Sequence, residues 1–118
     1  MNEIQMLVVA PTYQSLGSTG FNTIRKLLSG RKYDTLRPGD PVLVKHVCAP
    51  ADEDTDHEQA RERLIVRAIA IADFDTIMRE HGADNHLHAS EDIYDLDRRI
   101  AHFYGGDTSG KFCAIYFF

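Results

Sequence analysis

The sequence predicts a single α+β domain built on a small curved sheet or barrel. Its 118 residues are enough for one hydrophobic core and leave little room for two. Hydrophobic residues make up 43% of the chain and charged residues 26%, which is typical of a soluble globular protein. The predicted elements run β, α, β, β, β, α, α, β. Because the strands do not alternate strictly with helices, this order favours α+β architecture over a parallel doubly wound fold.

The first third of the chain predicts a strand, a loop and a short helix. "IQMLVVA" (residues 4–10) has the apolar, β-branched character of a strand, and "SLGSTG" (15–20) is a predicted loop. "FNTIRKLLSG" (21–30) predicts a helix, with Ser18 or Thr19 able to cap its start and Gly30 able to end it. Its apolar face would consist of Phe21, Ile24, Leu27 and Leu28.

The middle of the chain predicts three strands separated by polar segments. "RKYDTLR" (31–37) is short and extended, and "RPGD" (37–40) is a turn. "PVLVKHVCA" (41–49) is a strand rich in valine. "PADEDTDHEQARE" (50–62) is a polar, acidic loop. "RLIVRAIAIADF" (63–74) is the strongest strand, because it is β-branched and mostly apolar on both faces.

The last third predicts two helices and a final strand. "DFDTIMREHG" (73–82) is a helix that Asp73 or Asp75 caps and Gly82 ends. "SEDIYDLDRRIAHFYG" (90–105) is the clearest helix. Its buried stripe is predicted to consist of Ile93, Leu96, Ile100 and Phe103. "KFCAIYFF" (111–118) is apolar enough that we expect it to be paired inside a sheet.

Charge and cysteine usage narrow the classes of function. The net charge of −5 argues against a general DNA-coating role, which needs excess Lys and Arg. The charge is nevertheless uneven, with six basic and two acidic residues from Arg25 to Lys45. Cys48 and Cys113 lie in apolar, strand-like segments, so buried thiols are favoured over a disulfide. The sequence shows no signal peptide or membrane span, and we expect a cytoplasmic protein.

The basic region contains a motif, Gly30-Arg31-Lys32-Tyr33-Asp34-Thr35-Leu36-Arg37. Its pattern G-x-K-x-x-[ET]-x-R resembles the signature of the ASCH domain, a member of the PUA-like superfamily. With Thr at the sixth place it is similar to the small bacterial N4-acetylcytidine amidohydrolases. The resemblance extends over roughly residues 21–118 and includes a helix before the motif. It implies a PUA-like small β-barrel with about three flanking helices.

The resemblance also implies site residues and a reaction. Lys32 would be the base or nucleophile and Thr35 its partner in removing the acetyl group from the modified base. In an ungapped comparison, Asn85 stands at the place of the family's catalytic Glu, so Asp84 beside it, or Glu80, would supply the carboxylate. The residues expected to contact substrate are Gly30, Arg31, Tyr33, Arg37 and Asn85. The expected partner is a nucleoside or RNA, and no metal or cofactor is expected.

Geometry sets a condition on this chemistry. Lys32 and Thr35 are three residues apart and would point to opposite faces of a flat strand. We therefore expect an irregular backbone over residues 32–35. If no carboxylate joins Lys32 and Thr35, the alternative is a non-catalytic module that binds RNA or a nucleotide in the same cleft. His81, His86 and His88 form a third, weaker pattern that favours a polar loop over a metal site.

Overall fold

A computed structural model of the chain describes residues 4–9, 15–27, 35–47, 58–87 and 96–118. The described elements are, in chain order, β1 (Ile4–Val9), α1 (Leu16–Thr19), β2 (Thr23–Lys26), β3 (Pro41–Val47), β4 (Glu58–Asp73), α2 (Phe74–His81), a 3₁₀ turn (Gly82–Asp84), α3 (Leu96–His102) and β5 (Lys111–Phe117). The strands form one five-stranded sheet in the order β1-β3-β4-β5-β2. β1 runs parallel to β3, and the other neighbours are antiparallel. The fold class is therefore α+β, as predicted, with a sheet curled into a half-barrel.

Strand β4 produces the curl because its two halves pair with two different strands. Its first half pairs with β3 and its second half with β5, and the register shifts between Val66 and Ala68. At this point Val66 is paired with Phe117 of β5 and also exchanges backbone hydrogen bonds with the turn that precedes β3, and Arg67 is the extra residue of the bulge. Gly39 N donates to the Val66 carbonyl at 2.8 Å, and Val66 N donates to the Asp40 carbonyl at 2.9 Å. A bulge of this kind bends a strand and increases its twist.

Two hydrophobic clusters cover the two faces of the sheet. Side chains alternate along β5, so that Cys113, Ile115 and Phe117 enter one cluster and Phe112 and Ala114 the other. The first cluster takes residues from β1, β3, β4 and β5, and thus fills the inside of the curl. The second lies under α2 and α3. Its buried members are Ile24, Phe74, Ile77, Leu87, Leu96, Ile100, Phe112 and Ala114.

The predicted helix over residues 21–30 is wrong within the part that the structure describes. Residues Thr23–Lys26 are strand β2, antiparallel to β5. The apolar residues of this segment are spaced as in a helix, but β5 has a second edge that needs a partner, and its backbone hydrogen bonds decide the conformation. The predicted loop at 15–20 contains α1 instead, where Ser15 is the N-cap and Gly20 ends the helix at φ 76°. The helix that the family resemblance included before the motif is absent from residues 21–27.

Other boundaries also differ from the predictions. The acidic loop predicted over residues 50–62 is strand from Glu58 onward, because this segment completes the ladder with β3. Phe103 was predicted to be buried but is 42% exposed, since α3 ends at His102. The predicted strands 4–10, 41–49, 63–74 and 111–118 and the helix 73–82 are confirmed where they are described, and Asp73 caps α2 through Thr76 N at 2.9 Å.

Candidate functional site

A cleft of about 230 Å³ lies at the seam between β1 and β2, the two edge strands of the sheet. Register places Thr23 and Arg25 on the inner face of β2, opposite Ile115 and Cys113, while Ile24 faces outward. The cleft therefore wraps around the edge of β2. Its lining residues are Leu7, Thr23, Ile24, Arg25, Asn85, His86, Leu87, Ile100, Phe103 and Tyr104.

Arg25 connects the two edges of the sheet. Its Nη2 donates to the Leu7 carbonyl of β1 at 2.5 Å, and its Nε donates to Thr23 Oγ1 at 3.1 Å. The guanidinium is thus oriented from its own strand and reaches the opposite edge. This contact links, through a single side chain, the two edge strands that the backbone ladder leaves unpaired. It also puts a permanent positive charge in the wall of the cleft.

A buried pair of amides lies beside β2, and one of the two, Asn85, lines the cleft. Asn22 and Asn85 are 0% and 1% exposed. Asn85 Nδ2 donates to Asn22 Oδ1 at 3.2 Å, and Asn85 Oδ1 accepts from Leu87 N at 2.9 Å. Asn22 Nδ2 donates to the His81 carbonyl at 2.9 Å. A backbone group binds one end of each amide, so the orientation of both side chains is fixed. Asn85 therefore presents an N–H donor to Asn22 Oδ1. A carboxylate at this position would place an oxygen there instead.

Asp84 belongs to a neighbouring polar cluster at the end of α2. It is exposed, its carbonyl accepts from Asn22 N at 2.9 Å, and its Oδ2 accepts from the Tyr116 hydroxyl at 3.4 Å. The same hydroxyl lies 2.8 Å from His81 Nδ1. Burial of the ring and the nearby Asp84 charge raise the pKa of Tyr116. Asp84 is not among the residues that line the cleft.

The wall formed by Tyr104 is fixed by the end of β2. The Tyr104 hydroxyl accepts from Lys26 N at 3.1 Å, and its ring packs edge to face on Phe112. Lys26 is buried, and its Nζ lies 2.9 Å from Asp107 Oδ2. Hydrogen bonds from Ser109, followed by the Lys26 contact, hold the pKa of Asp107 well below its usual range. These contacts orient the Tyr104 side of the cleft.

A second polar cluster lies inside the curl, under the start of α1. Glu62 accepts hydrogen bonds from Ser15 Oγ, from Leu16 N at 3.2 Å and from His46 Nε2 at 2.7 Å. The carboxylate stands between the hydroxyl and the imidazole, so His46 does not activate Ser15 as it would in a catalytic triad. We assign this cluster a structural role. Among the described residues, no group of three His, Cys, Asp or Glu side chains is placed to hold a metal ion.

Of the predicted site residues that the structure describes, Asn85 alone lines the cleft. Thr35 lies in a helical turn and Arg37 at the start of the turn before β3; both are exposed. The Arg37 N–H donates to Asp40 Oδ2 at 2.9 Å, so its backbone holds this turn. Leu36 between them packs into the inner cluster. The other predicted residues, Gly30, Arg31, Lys32 and Tyr33, lie outside the described residues, as does most of the irregular segment expected at 32–35.

The cleft residues that sequence reasoning missed are Thr23, Arg25 and Phe103. The segment Thr23–Lys26 has no polar–apolar alternation, since Ile24 is its only apolar residue. The helical spacing of the neighbouring apolar residues was therefore the stronger local signal. In the sequence, His86 belongs only to the weak histidine pattern with His81 and His88. Phe103 was assigned to the buried stripe of its helix. None of these positions carries a motif.

Comparisons with protein-family models, with curated proteins and with solved structures give no match for this chain. The proposed function therefore rests on the site alone. In the described ranges, none of the helices combines the length and the apolar character needed to cross a lipid bilayer.

Proposed function

We propose that this chain is a nucleotide-binding module whose cleft holds one base of a nucleoside or of RNA. The observation that carries the proposal is the composition of the cleft. Aromatic rings at Phe103 and Tyr104 offer surfaces for stacking, while the guanidinium of Arg25 brings N–H donors to the same space. Stacking on aromatic side chains combined with hydrogen bonds to base edges is how proteins recognise unpaired bases.

The size of the cleft and the charge of the protein limit the ligand to a single nucleotide. Pockets for drug-sized ligands have volumes of about 300–1,000 Å³, and the cleft has about 230 Å³. A long nucleic acid would also meet a protein of net charge −5, which opposes extensive contact with phosphates. One nucleotide, free or unstacked from RNA, satisfies both limits.

Binding without catalysis is favoured by the absence of a carboxylate from the described lining. Asn85, at the place where the family resemblance requires Glu, is buried and its amide is committed to Asn22 and Leu87. An amide in this position cannot accept a proton in catalysis. Asp84, the alternative carboxylate, faces Tyr116 instead.

Phe103 provides the test of binding. Equilibrium dialysis with cytidine and with N4-acetylcytidine measures the affinity of the wild type and of Phe103→Ala. Base stacking contributes about 1–3 kcal/mol per base, so we expect the variant to bind roughly 5- to 150-fold more weakly. Phe118→Ala is the matched control, because Phe118 is also exposed, at 63%, and does not line the cleft. Equal affinities for wild type and Phe103→Ala would contradict the proposal.

A second candidate is deacetylation of N4-acetylcytidine at the motif, and the exposure of Thr35 favours it, because substrate can reach this hydroxyl. The same incubations, followed for cytidine by chromatography, test it. Turnover that disappears in Lys32→Ala and in Thr35→Val would establish the hydrolase. Binding of N4-acetylcytidine without release of cytidine would contradict the hydrolase and support the non-catalytic binding module.

A further inference from the structure

The backbone of β2 offers hydrogen-bonding groups to the cleft. Leu27 N donates to the Lys111 carbonyl at 2.9 Å, so the residues of β2 that exchange hydrogen bonds with β5 are every second one, Thr23 and Arg25. The N–H and carbonyl groups of the positions between them point away from β5. Because β2 is the last strand of the sheet, these groups form its open edge.

Contacts at both ends of this open edge leave one residue between them. At one end the Asn22 carbonyl accepts from His86 N at 3.2 Å. At the other end Lys26 N donates to the Tyr104 hydroxyl at 3.1 Å. Ile24 lies between these two positions and lines the cleft. Among the described residues, neither the N–H nor the carbonyl of Ile24 has a hydrogen-bond partner.

The gap at Ile24 exists because the neighbouring chain leaves the edge just after Asn85. Asn22 and Asn85 form a single parallel bridge, and a continuing strand would pair with Ile24 next. Residues 86 and 87 are helical instead, and Asn85 Oδ1 accepts from Leu87 N at 2.9 Å, as the side chain of an N-cap residue does. The side chain that ends the bridge therefore keeps the backbone groups of Ile24 open to the cleft.

These two backbone groups define what a ligand must offer. Ile24 is only 5% exposed, and an unpaired backbone group away from bulk water costs free energy comparable to a lost hydrogen bond. A ligand that supplies both partners therefore gains most at this position. The edge presents one donor beside one acceptor. The Watson–Crick edge of cytosine has the complementary pair, because its ring N3 accepts and its 4-amino group donates.

We infer that the cleft reads the Watson–Crick edge of an unpaired base through the backbone of Ile24, which is the specificity-determining position. This inference rests on the proposed function and names the atoms that select the ligand. Cytosine N3 accepts from the Ile24 N–H, and the 4-amino group donates to the Ile24 carbonyl, while the ring stacks on Phe103. A base in a duplex already uses this edge for pairing, so the ligand class is unpaired bases.

Isothermal titration calorimetry on the whole chain compares cytidine with two analogues that each lack one group of this edge. 3-Deazacytidine has a C–H in place of N3, and the pyrimidin-2-one riboside has hydrogen in place of the 4-amino group. Loss of one hydrogen bond, with the backbone group left unpaired, predicts roughly 5- to 150-fold weaker binding of each analogue. An affinity for either analogue equal to that for cytidine overturns the inference, while the proposed function stands on the Phe103→Ala test.

An amide-to-ester replacement at Ile24 tests the donor directly, since it exchanges the N–H for an oxygen and retains the side chain. We expect the preference for cytidine over 3-deazacytidine to fall to within about threefold. The same replacement at Ile65 is the matched control, because the Ile65 N–H donates to the Phe118 carbonyl at 3.0 Å, outside the cleft lining. The control chain should retain the preference.

The two measurements together keep the result decisive. A preference for cytidine over 3-deazacytidine that persists in the Ile24 ester overturns the assignment to this residue. If the ester chain does not fold, the comparison of the analogues on the unmodified chain decides the inference. Binding of no nucleoside to the unmodified chain overturns both this inference and the proposed function.

Discussion

Replacing Asn85 with Asp tests the buried amide pair by exchanging one amide nitrogen for an oxygen. The side chain keeps its size, and its Oδ1 can still accept from Leu87 N. The donor to Asn22 Oδ1 is lost, and two oxygens then face each other at the 3.2 Å that now separates donor from acceptor. Since both residues are almost fully buried, water cannot replace the missing partner.

The cost follows from the groups left behind. Loss of the hydrogen bond removes about 1 kcal/mol, and a buried polar group left without its partner costs about 1–3 kcal/mol more, with a charge adding to it. We expect Asn85→Asp to lower the free energy of unfolding by about 2–4 kcal/mol at pH 7. A domain of this size has about 5–15 kcal/mol in total, so the variant should fold but unfold at markedly lower urea concentrations.

The same variant predicts a pH dependence of known sign. In Asn85→Asp, the introduced carboxyl can donate to Asn22 Oδ1 only when it is protonated, so the folded state favours the protonated form and raises the pKa of this carboxyl above about 3.9. The repaired contact is fully present below that pH and is lost as the pH rises through the raised value. The deficit relative to wild type should therefore be small near pH 4 and complete at pH 7.

Urea denaturation followed by circular dichroism suits the measurement, since the chain has no tryptophan. Gln5→Glu is the matched control, because it makes the same amide-to-carboxylate change at an exposed position of β1. A loss within about 0.5 kcal/mol for Asn85→Asp at pH 7, the range of ordinary surface changes, would refute the assignment of this amide pair.

Three further predictions follow from other contacts. Glu62→Gln replaces one accepting carboxylate oxygen with an NH₂ group that faces other donors, and it removes the negative charge beside His46. We therefore expect the free energy of unfolding, measured by urea denaturation, to fall by about 1–3 kcal/mol. An unchanged midpoint would contradict the structural role of this cluster. Gly39→Ala places a Cβ in open space but at φ 95°, and should cost about 1–2 kcal/mol from backbone strain alone, measured in the same way; wild-type stability would show that this turn relaxes. Because the pKa of Tyr116 is raised in the folded state, its contribution to the free energy of unfolding is fully present below pH 10.0 and is lost as the pH rises through the folded-state pKa. Tyr116→Phe should remove one late step from the tyrosine absorbance titration at 295 nm. An unchanged titration would exclude the shift.

The strands that the sequence predicts well are those whose own residues decide their burial. β5 and the second half of β4 are apolar at most positions, a pattern that predicts interior strands, and each has a neighbouring strand on both sides. Ile71 of β4 is nevertheless 60% exposed. β2 is different, because its four residues form a strand only when β5 supplies the ladder. A local pattern cannot show that partner, and the helical spacing of the apolar residues from Phe21 to Leu27 misleads for this reason.

The cleft is harder to predict than the fold, because it exists only after the sheet has curled. Leu7 and Arg25 are 18 positions apart and lie on opposite edges of the sheet. They meet because β4 bends at Val66, far from either in sequence. The burial of Asn85 also runs against the usual exposure of asparagine, and it depends on Asn22 offering the complementary amide. A motif search finds functional residues within one segment of the sequence. The described wall of this cleft comes from four segments.

The structure therefore separates two hypotheses that the sequence joined in one cleft. Leu36 anchors the described end of the motif in the inner cluster, with Thr35 and Arg37 exposed on either side of it. Phe103 and Arg25 belong to the seam. If Thr35→Val removes turnover and Phe103→Ala does not change it, the chemistry belongs to the motif and the seam is a separate binding site. If Phe103→Ala and Arg25→Gln weaken binding and Thr35→Val does not, the seam alone recognises the nucleotide. Thr35→Val changes only the motif, whereas Phe103→Ala and Arg25→Gln change only the seam. The measured affinities and rates therefore assign the function to one of these two places in the fold.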